Sequence, residues 1–187
     1  MTKDEALKLL KSKMKNENLR RHCYAVGAVM KALAKHFNED EDLWEVVGIL
    51  HDGDYEETKA TPELHTMKMV EWLKEKKEVE KELLEAILSH NYAHTGQNPP
   101  KNNLEWSLYC CDELTGLIVA VALVKPDKKL SSVTIESVMN KWNQRSFAAG
   151  VDRSQIEKCQ ERLEIPLQKF VEIALTAMQS IAPELGL

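Results

Sequence analysis

The sequence predicts an all-α protein that folds as a single helical bundle. Its apolar residues recur mostly at spacings of three and four residues, which is the period of an amphipathic helix. Capping residues stand where several of these apolar stripes begin. The run LIVAVALV (residues 117–124) could instead form a buried strand, but no convincing partner strand occurs elsewhere. The sequence also contains no repeat, low-complexity tract or linker, so we expect one domain over residues 1–187.

The first three helices are predicted from their caps and apolar stripes. Thr2 and Glu5 form the capping-box pattern that opens the first helix. The second spans residues 17–37, where leucine, valine and phenylalanine form a stripe along one face. The third spans residues 40–52, and Gly53 is well placed to end it.

The remaining helices follow from similar signals. Thr61-Pro62-Glu63 supplies an N-cap, a first-turn proline and a favourable acidic residue for a fourth helix. A loop is expected at residues 91–103, which contain a glycine and a Pro-Pro pair. Further helices are predicted at residues 79–90, 104–123 and 134–142, after the capping pair Asp152 and Gln155, and at residues 164–181.

Composition and charge argue against several classes of protein. With 30 acidic and 25 basic residues, the net charge is -5, which argues against binding to polymeric nucleic acid. The N-terminus is too charged for a signal peptide, and the longest apolar run is too short to cross a membrane. The four cysteines form no CxxC pair, as in reduced cytosolic proteins. We therefore expect a cytoplasmic protein without a membrane partner, and its Met and aromatic faces could support a homodimer.

Several potential metal ligands occupy helix positions that should face the core. Each lies three or four residues from apolar residues on its own predicted helix. They are His22, His51, His65, His90 and Asp112. Any one of them alone would more often be a hydrogen-bonded core residue. Together they favour a divalent ion, because an ion that binds imidazole nitrogen and carboxylate oxygen removes the cost of burying them unpaired.

The adjacent pair His51 and Asp52 adds a geometric constraint. Neighbouring residues on a helix point about 100° apart, so both reach one ion only where the helix frays or ends. Gly53 offers the chain that freedom. The partial negative charge at the end of a helix also suits a nearby cation.

The order His22, His51-Asp52, Asp112 resembles the HD superfamily of metal-dependent phosphohydrolases, which are all-helical proteins named for the adjacent His-Asp pair. The likeness covers about residues 20–124. The segments DELTGLIVAVALV (112–124) and SFAAGVDR (146–153) are also similar to a group of small, mostly uncharacterised bacterial HD proteins.

This resemblance implies a domain plan and a ligand set. The metal-site core of an HD-type domain would lie at about residues 17–124, with C-terminal helices at 131–187 packed on it. The first-ion ligands would be His22, His51, Asp52 and Asp112. His65 and His90 match the additional histidines of members that hold a second ion.

The chain departs from the common HDIGK form of the motif, because it has HDGDY at residues 51–55. The basic residue that often follows the His-Asp pair is absent, so phosphate must be bound by other means. A second divalent ion would leave the pocket net positive and attractive to phosphate. A pocket with one ion would need a basic residue, for which Arg145 is preferred over Arg20, Arg21, Lys59 and Lys68.

Asp54 could accept a proton or lie on the loop surface, and the surface is favoured. His94 lies in the predicted flexible loop, where an exposed position is favoured over contact with substrate.

The ligand set and the resemblance predict an enzyme that hydrolyses phosphate esters of a nucleotide or another small phosphorylated metabolite. A metal-activated water would attack phosphorus, with Asp52 as the catalytic residue that orients it. The imidazole-rich ligands favour one or two ions of Fe, Mn, Zn, Co or Ni over Mg. Phosphomonoesterase and phosphodiesterase activities both stay open. Alternatives are a di-iron HD-type oxygenase and a non-catalytic, metal-containing binding module.

Overall fold

The computed structural model describes residues 1–76 and 78–187, and every regular element within them is helical. The predicted all-α class is therefore confirmed. The α-helices are α1 Lys3–Lys13, α2 Glu17–Phe37, α3 Glu41–Leu50, α4 Tyr55–Thr58, α5 Met67–Lys74, α6 Lys81–His90, α7 Tyr92–Thr95, α8 Asn103–Leu123, α9 Ile135–Trp142, α10 Arg153–Arg162, α11 Leu167–Ser180 and α12 Ala182–Leu185.

Local capping explains where the early helices begin. Thr2 and Glu5 form a complete capping box at the start of α1. The side chain of Asn16 accepts two backbone N–H groups at the start of α2, and Asp40 does the same for α3. The helix α3 ends at Leu50, so His51 and Asp52 lie in the turn that follows it.

The predicted fourth helix begins later than the sequence indicates. Residues Pro62–Leu64 form one 3₁₀ turn, and Thr66 has a positive φ of 72°. That left-handed conformation is incompatible with a continuous α-helix, so α5 starts only at Met67. His65 consequently lies in a turn and does not share a helical face with Met69.

Two further boundaries differ from the prediction for comparable reasons. The last long helix starts at Leu167, because Glu164 has a positive φ of 56° and Pro166 is its N-cap residue. The predicted loop after α6 contains the short helix α7, which ends at Gly96 in the left-handed region.

The core is organised around two helices of 21 residues, α2 and α8. The helices α3, α8 and α11 pack against α2, while α6 and α10 pack against α8. Among the described residues, α8 is the one helix that is long and apolar enough to cross a bilayer. However, 56% of its most apolar window is buried inside the protein, as in a core helix.

Glycines bring α2 and α3 into direct backbone contact. A Cβ atom on Gly48 would lie 2.7 Å from both the Cα and N atoms of Gly27. Gly53 also serves close packing, because a Cβ there would lie 2.6 Å from the sulfur of Met69. Its φ is not positive, so the expectation that Gly53 supplies unusual backbone freedom is wrong. These contacts fix α2 relative to the end of α3.

We expect Gly48→Ala to destabilise the protein by about 1–3 kcal/mol, because the clash is with backbone atoms that cannot rotate away. The matched control is Gly116→Ala on α8, where the new Cβ would meet only Val151 at an ordinary 3.8 Å. This control should be neutral or stabilise by up to about 1 kcal/mol through helix propensity. Urea unfolding followed by circular dichroism measures both, and equal stabilities would contradict the proposed backbone contact.

Candidate metal centre

Six residues that the sequence singles out lie together at one end of the bundle. They come from α2, the turn after α3, the turn before α5, the end of α6 and the middle of α8. They are His22, His51, Asp52, His65, His90 and Asp112. The structure therefore places four imidazoles and two carboxylates in mutual contact.

Asp52 is the shared partner within this cluster. Its Oδ1 atom lies 3.0 Å from His65 Nε2 and 3.2 Å from His90 Nε2. The same oxygen is 3.8 Å from His51 Nε2, whereas Oδ2 faces His22 Nε2 at 3.9 Å. One oxygen of this carboxylate therefore faces three imidazoles, and the other faces the fourth.

Asp112 forms the second acidic part of the cluster. Its Oδ1 atom lies 2.8 Å from His22 Nε2 and 3.5 Å from His51 Nε2. Two ligands that each bind an ion at about 2.1 Å with near-orthogonal geometry are separated by about 3 Å. The distances around Asp112 and Asp52 therefore suit ion coordination. Two groups of donors lie close enough to hold an ion: His22, His51 and Asp112, and His51, Asp52 and His90.

Hydrogen bonds at the outer nitrogens orient three of the imidazoles. His51 donates from Nδ1 to the Gly48 carbonyl oxygen at 2.7 Å. The Thr115 hydroxyl donates to the Asp112 carbonyl, so it accepts from His22 Nδ1 at 3.3 Å. In each neutral ring the proton is then on Nδ1, which leaves the Nε2 lone pair facing the cluster.

His65 is oriented by Asp54, a carboxylate that the sequence interpretation placed at the surface. Asp54 is completely buried, so its predicted surface location is wrong. Its Oδ1 atom accepts from His65 Nδ1 at 2.8 Å, and its Oδ2 atom accepts the Met69 backbone N–H at 3.1 Å. A carboxylate behind a ligating histidine is a common arrangement at metal sites.

His51 gives the clearest indication that the cluster fits a metal ion. Its side chain is completely buried, and its Nε2 atom has no hydrogen-bond partner within residues 1–76 and 78–187. A buried nitrogen lone pair without a donor is unfavourable. Here it faces Asp52 and Asp112, where a divalent cation would satisfy it together with both carboxylates.

When no metal is bound, burial and the neighbouring carboxylates set the pKa values of the histidines. Burial lowers the pKa of His22, but the hydrogen bond and charge of Asp112 outweigh burial and raise it to about 9. Burial also opposes protonation of His65, whose pKa rises to about 9 through Asp52 and Asp54. The pKa of His90 is lowered, chiefly by burial. Two protons thus neutralise part of the acidic charge when no cation is bound.

The carboxylates shift in the opposite direction. Burial would raise the pKa of Asp52, but His51 and the hydrogen bonds from His65 and His90 hold it well below its usual range. For Asp112, burial is likewise outweighed by the hydrogen bond from His22 and by the nearby imidazoles of His51 and His90, which lower its pKa. Both acids are therefore ionised at neutral pH and available as ligands.

An open cavity of about 380 Å³ lies over the cluster. It is lined by Leu19, His22, Asp52, Tyr55, His65, His90, Ala93, His94, Asp112, Glu113, Gly116, Val151 and Gln155. This lining contains no Lys or Arg from the described part of the chain. The predicted loop residue His94 does reach it.

The structure does not bring Arg145 to this cavity. Arg145 is exposed and lines a separate surface depression beside Trp142. The guanidinium of Arg153 instead organises this region, donating to the carbonyls of Trp142 and Phe147 at 2.8 and 2.7 Å. The loop held by Arg153 presents Val151 to the cavity.

We expect the metal-free protein to lose stability as the pH rises from about 6.5 to 9. The folded state favours protonated His22 and His65, so their contribution is complete below the ordinary histidine pKa of 6.5 and disappears through about 9. Thermal unfolding in the presence of chelator, followed across this range, measures the effect. The slope should be shallower for His22→Gln and unchanged for His36→Gln at an exposed position. A melting temperature that rises over this interval would contradict the assignment.

Comparison with known proteins agrees with this geometry. The family model of the HD domain matches residues 19–143, which is more than half of the chain and includes all six clustered residues. No curated protein and no solved structure matches the chain significantly. The family match, the helical fold and the converging His and Asp side chains confirm the resemblance found in the sequence. The chain belongs to the HD-domain family, a superfamily of metal-dependent hydrolases.

Proposed function

We propose that this protein is a phosphohydrolase that uses two divalent ions to hydrolyse a small phosphate ester. The observation that carries the proposal is the buried, unpartnered Nε2 atom of His51, which faces two ionised carboxylates. No described Lys or Arg lies among the residues that line the cavity above them. The environment therefore suits a cation and, through that cation, an anionic substrate.

The geometry supports two adjacent ion sites that share Asp52. The first would use His22, His51, Asp112 and the Oδ2 side of Asp52. The second would use His65 and His90 with the Oδ1 side of Asp52, which is 3.0 and 3.2 Å from their Nε2 atoms. His51 also lies close to this second group, so it belongs geometrically to both.

The charge of the cavity favours two ions over one. Asp52, Asp112 and Glu113 place three carboxylates in its lining. With neutral imidazoles, one divalent ion leaves the cavity negative, whereas two leave it positive. Only the positive cavity attracts a phosphate dianion, because no described basic side chain contributes there. The second ion would thus supply the positive charge for which the sequence interpretation considered Arg145.

The imidazole-rich donor set favours Fe, Mn, Zn, Co or Ni over Mg. Four imidazole nitrogens face the two carboxylates of the cluster.

All four cysteines are free and buried, which is consistent with the proposed cytoplasmic location.

The protein side chains define how the reaction would proceed. Bound ions supply Lewis acidity and lower the pKa of water at the site. Asp52 accepts a hydrogen bond from the attacking water and orients its oxygen toward phosphorus. The new P–O bond forms in line as the ester P–O bond breaks. The attacking water releases one proton to solvent, and the alcohol leaves with one proton from solvent. Thr115 and Asp54 hold His22 and His65 in orientation during this exchange.

The proposal is tested with protein purified without added metal. Elemental analysis should give close to two transition-metal ions per chain, and a phosphate-ester panel should show turnover without oxygen. Oxygen consumption coupled to turnover would instead favour the di-iron oxygenase alternative. An absence of hydrolysis with each of the five candidate metals would reject the proposed function.

Asp52→Asn should lower kcat by about 100- to 1,000-fold or more, because it removes the charge shared by both ion sites and the acceptor that orients water. Steady-state kinetics measures the loss, and circular dichroism checks that the helical fold persists. His36→Gln at an exposed position is the control and should retain full activity. A folded Asp52→Asn protein with wild-type kcat would exclude the proposed role.

Asp54→Asn should weaken binding of one ion by about 10- to 100-fold, because the amide no longer supplies the carboxylate charge behind His65. Metal titration followed by calorimetry measures the two affinities separately. The matched control is Glu57→Gln, since Glu57 lies on the neighbouring helix α4 but pairs with Lys68 at the surface. Equal affinities in wild type and Asp54→Asn would show that His65 is not an ion ligand.

A further inference from the structure

Glu113 is a third carboxylate in the cavity, beside the two that serve the proposed ions. It follows Asp112 on α8, is partly buried and lines the cavity. Glu113 belongs to neither group of donors that lie close enough to hold an ion. Its location therefore needs another explanation.

One carboxylate oxygen of Glu113 accepts a backbone hydrogen bond, whereas the other makes no hydrogen bond within the described residues. Oε2 accepts the backbone N–H of Asp152 at 2.9 Å, which ties α8 to the N-terminus of α10. Oε1 makes no hydrogen bond with a residue of the described ranges, and no Lys or Arg there forms an ion pair with this carboxylate. The fixed oxygen holds the side chain in place, which leaves the second one available to a ligand.

The surroundings of Glu113 form a wall suited to the alcohol part of a substrate. Gly116 on α8 and Val151 before α10 line the cavity next to it. Gly116 leaves open space, because a Cβ atom there would touch only Val151. The cavity volume of about 380 Å³ limits the occupant to a small molecule.

A carboxylate beside a phosphate-binding centre has an electrostatic consequence. The carboxylate repels the phosphate dianion of a substrate. A positive charge on the substrate, next to the carboxylate, offsets this repulsion. A hydrogen-bonded ammonium group satisfies the carboxylate directly, since charged hydrogen bonds are the stronger ones.

We propose, on the basis of the proposed function, that Glu113 selects phosphate esters whose alcohol portion carries an ammonium group. The phosphate lies at the ion centre, and the ammonium group donates to the available oxygen of Glu113. Gly116 and Val151 contact the short carbon chain between them. Glu113 is thus a specificity-determining residue for the leaving group.

The test compares charged and neutral esters of equal size. The pairs are 2-aminoethyl phosphate with propyl phosphate, and 3-aminopropyl phosphate with butyl phosphate. The metal-loaded protein should prefer at least one amine by about tenfold or more in kcat/KM, as expected for a charged hydrogen bond. Equal values for both pairs would overturn the inference.

Glu113→Gln separates selectivity from structure. Glutamine keeps an oxygen that accepts the Asp152 N–H but loses the negative charge. The preference for the amine should fall toward one in this variant, while its melting temperature stays within the range of the wild type. Glu157→Gln, at an exposed position on α10, is the matched control and should keep the preference. Retention of the full preference in Glu113→Gln would also overturn the inference.

A binding measurement distinguishes this inference from the proposed function. Calorimetry compares 2-aminoethylphosphonate and propylphosphonate, whose C–P bonds are not hydrolysed as esters, with the metal-loaded protein. A Glu113-dependent preference for the amine without turnover of any ester would support the selectivity and reject phosphate-ester hydrolysis. Hydrolysis of all four esters at equal rates would support the proposed function and reject the role of Glu113.

Discussion

The proposed metal centre depends above all on the position of Asp52, one residue beyond His51 in the turn that ends α3. Within a continuous helix the two side chains would point about 100° apart. Because α3 ends at Leu50, both reach the same cluster. The Gly27–Gly48 backbone contact and the packing of Met69 on Gly53 hold this turn against the rest of the core. The small residues near the His-Asp pair therefore serve its geometry directly.

Charge balance explains why so many imidazoles surround two acids. A buried carboxylate is unfavourable unless hydrogen bonds or cations stabilise it. Without metal, the raised pKa values of His22 and His65 allow protons to provide this compensation. Metal ions and protons therefore compete for the same nitrogen atoms. Asp54 and Thr115 hold these nitrogens in one orientation in either state, so the cluster need not rearrange when a cation replaces the protons.

The sequence predicted the ligand-bearing helices well because helical periodicity places side chains on faces. His22, His90 and Asp112 face the cluster from helices whose main extents were predicted. His65 arrives there for a different reason, since Thr66 interrupts the expected helix and the turn carries the side chain inward. The burial of Asp54 was missed because turn residues have no periodicity from which burial can be inferred.

Hydrogen bonds within residues 142–153 explain why Arg145 does not line the cavity. The loop after α9 takes its course from hydrogen bonds that Arg153 donates to its carbonyl groups. No local pattern indicates which of two nearby arginines turns inward to the backbone and which stays in solvent. The need for positive charge at the proposed phosphate site, and a second ion as one source of it, were recognisable from the sequence, but the location of Arg145 was not.

The match to the HD-domain family covers the clustered His and Asp residues but not the whole cavity wall. All six clustered His and Asp residues lie within the matched residues 19–143. Val151 and Gln155, which complete the cavity wall, lie beyond that range. Glu113 connects the two parts, because it stands on α8 and accepts a hydrogen bond from Asp152. The proposed reaction centre is thus built from the shared domain, whereas part of the surface that would meet the leaving group comes from the C-terminal segment. Substrate choice can differ among proteins that share the centre, since residues of the second group can change without altering the cluster.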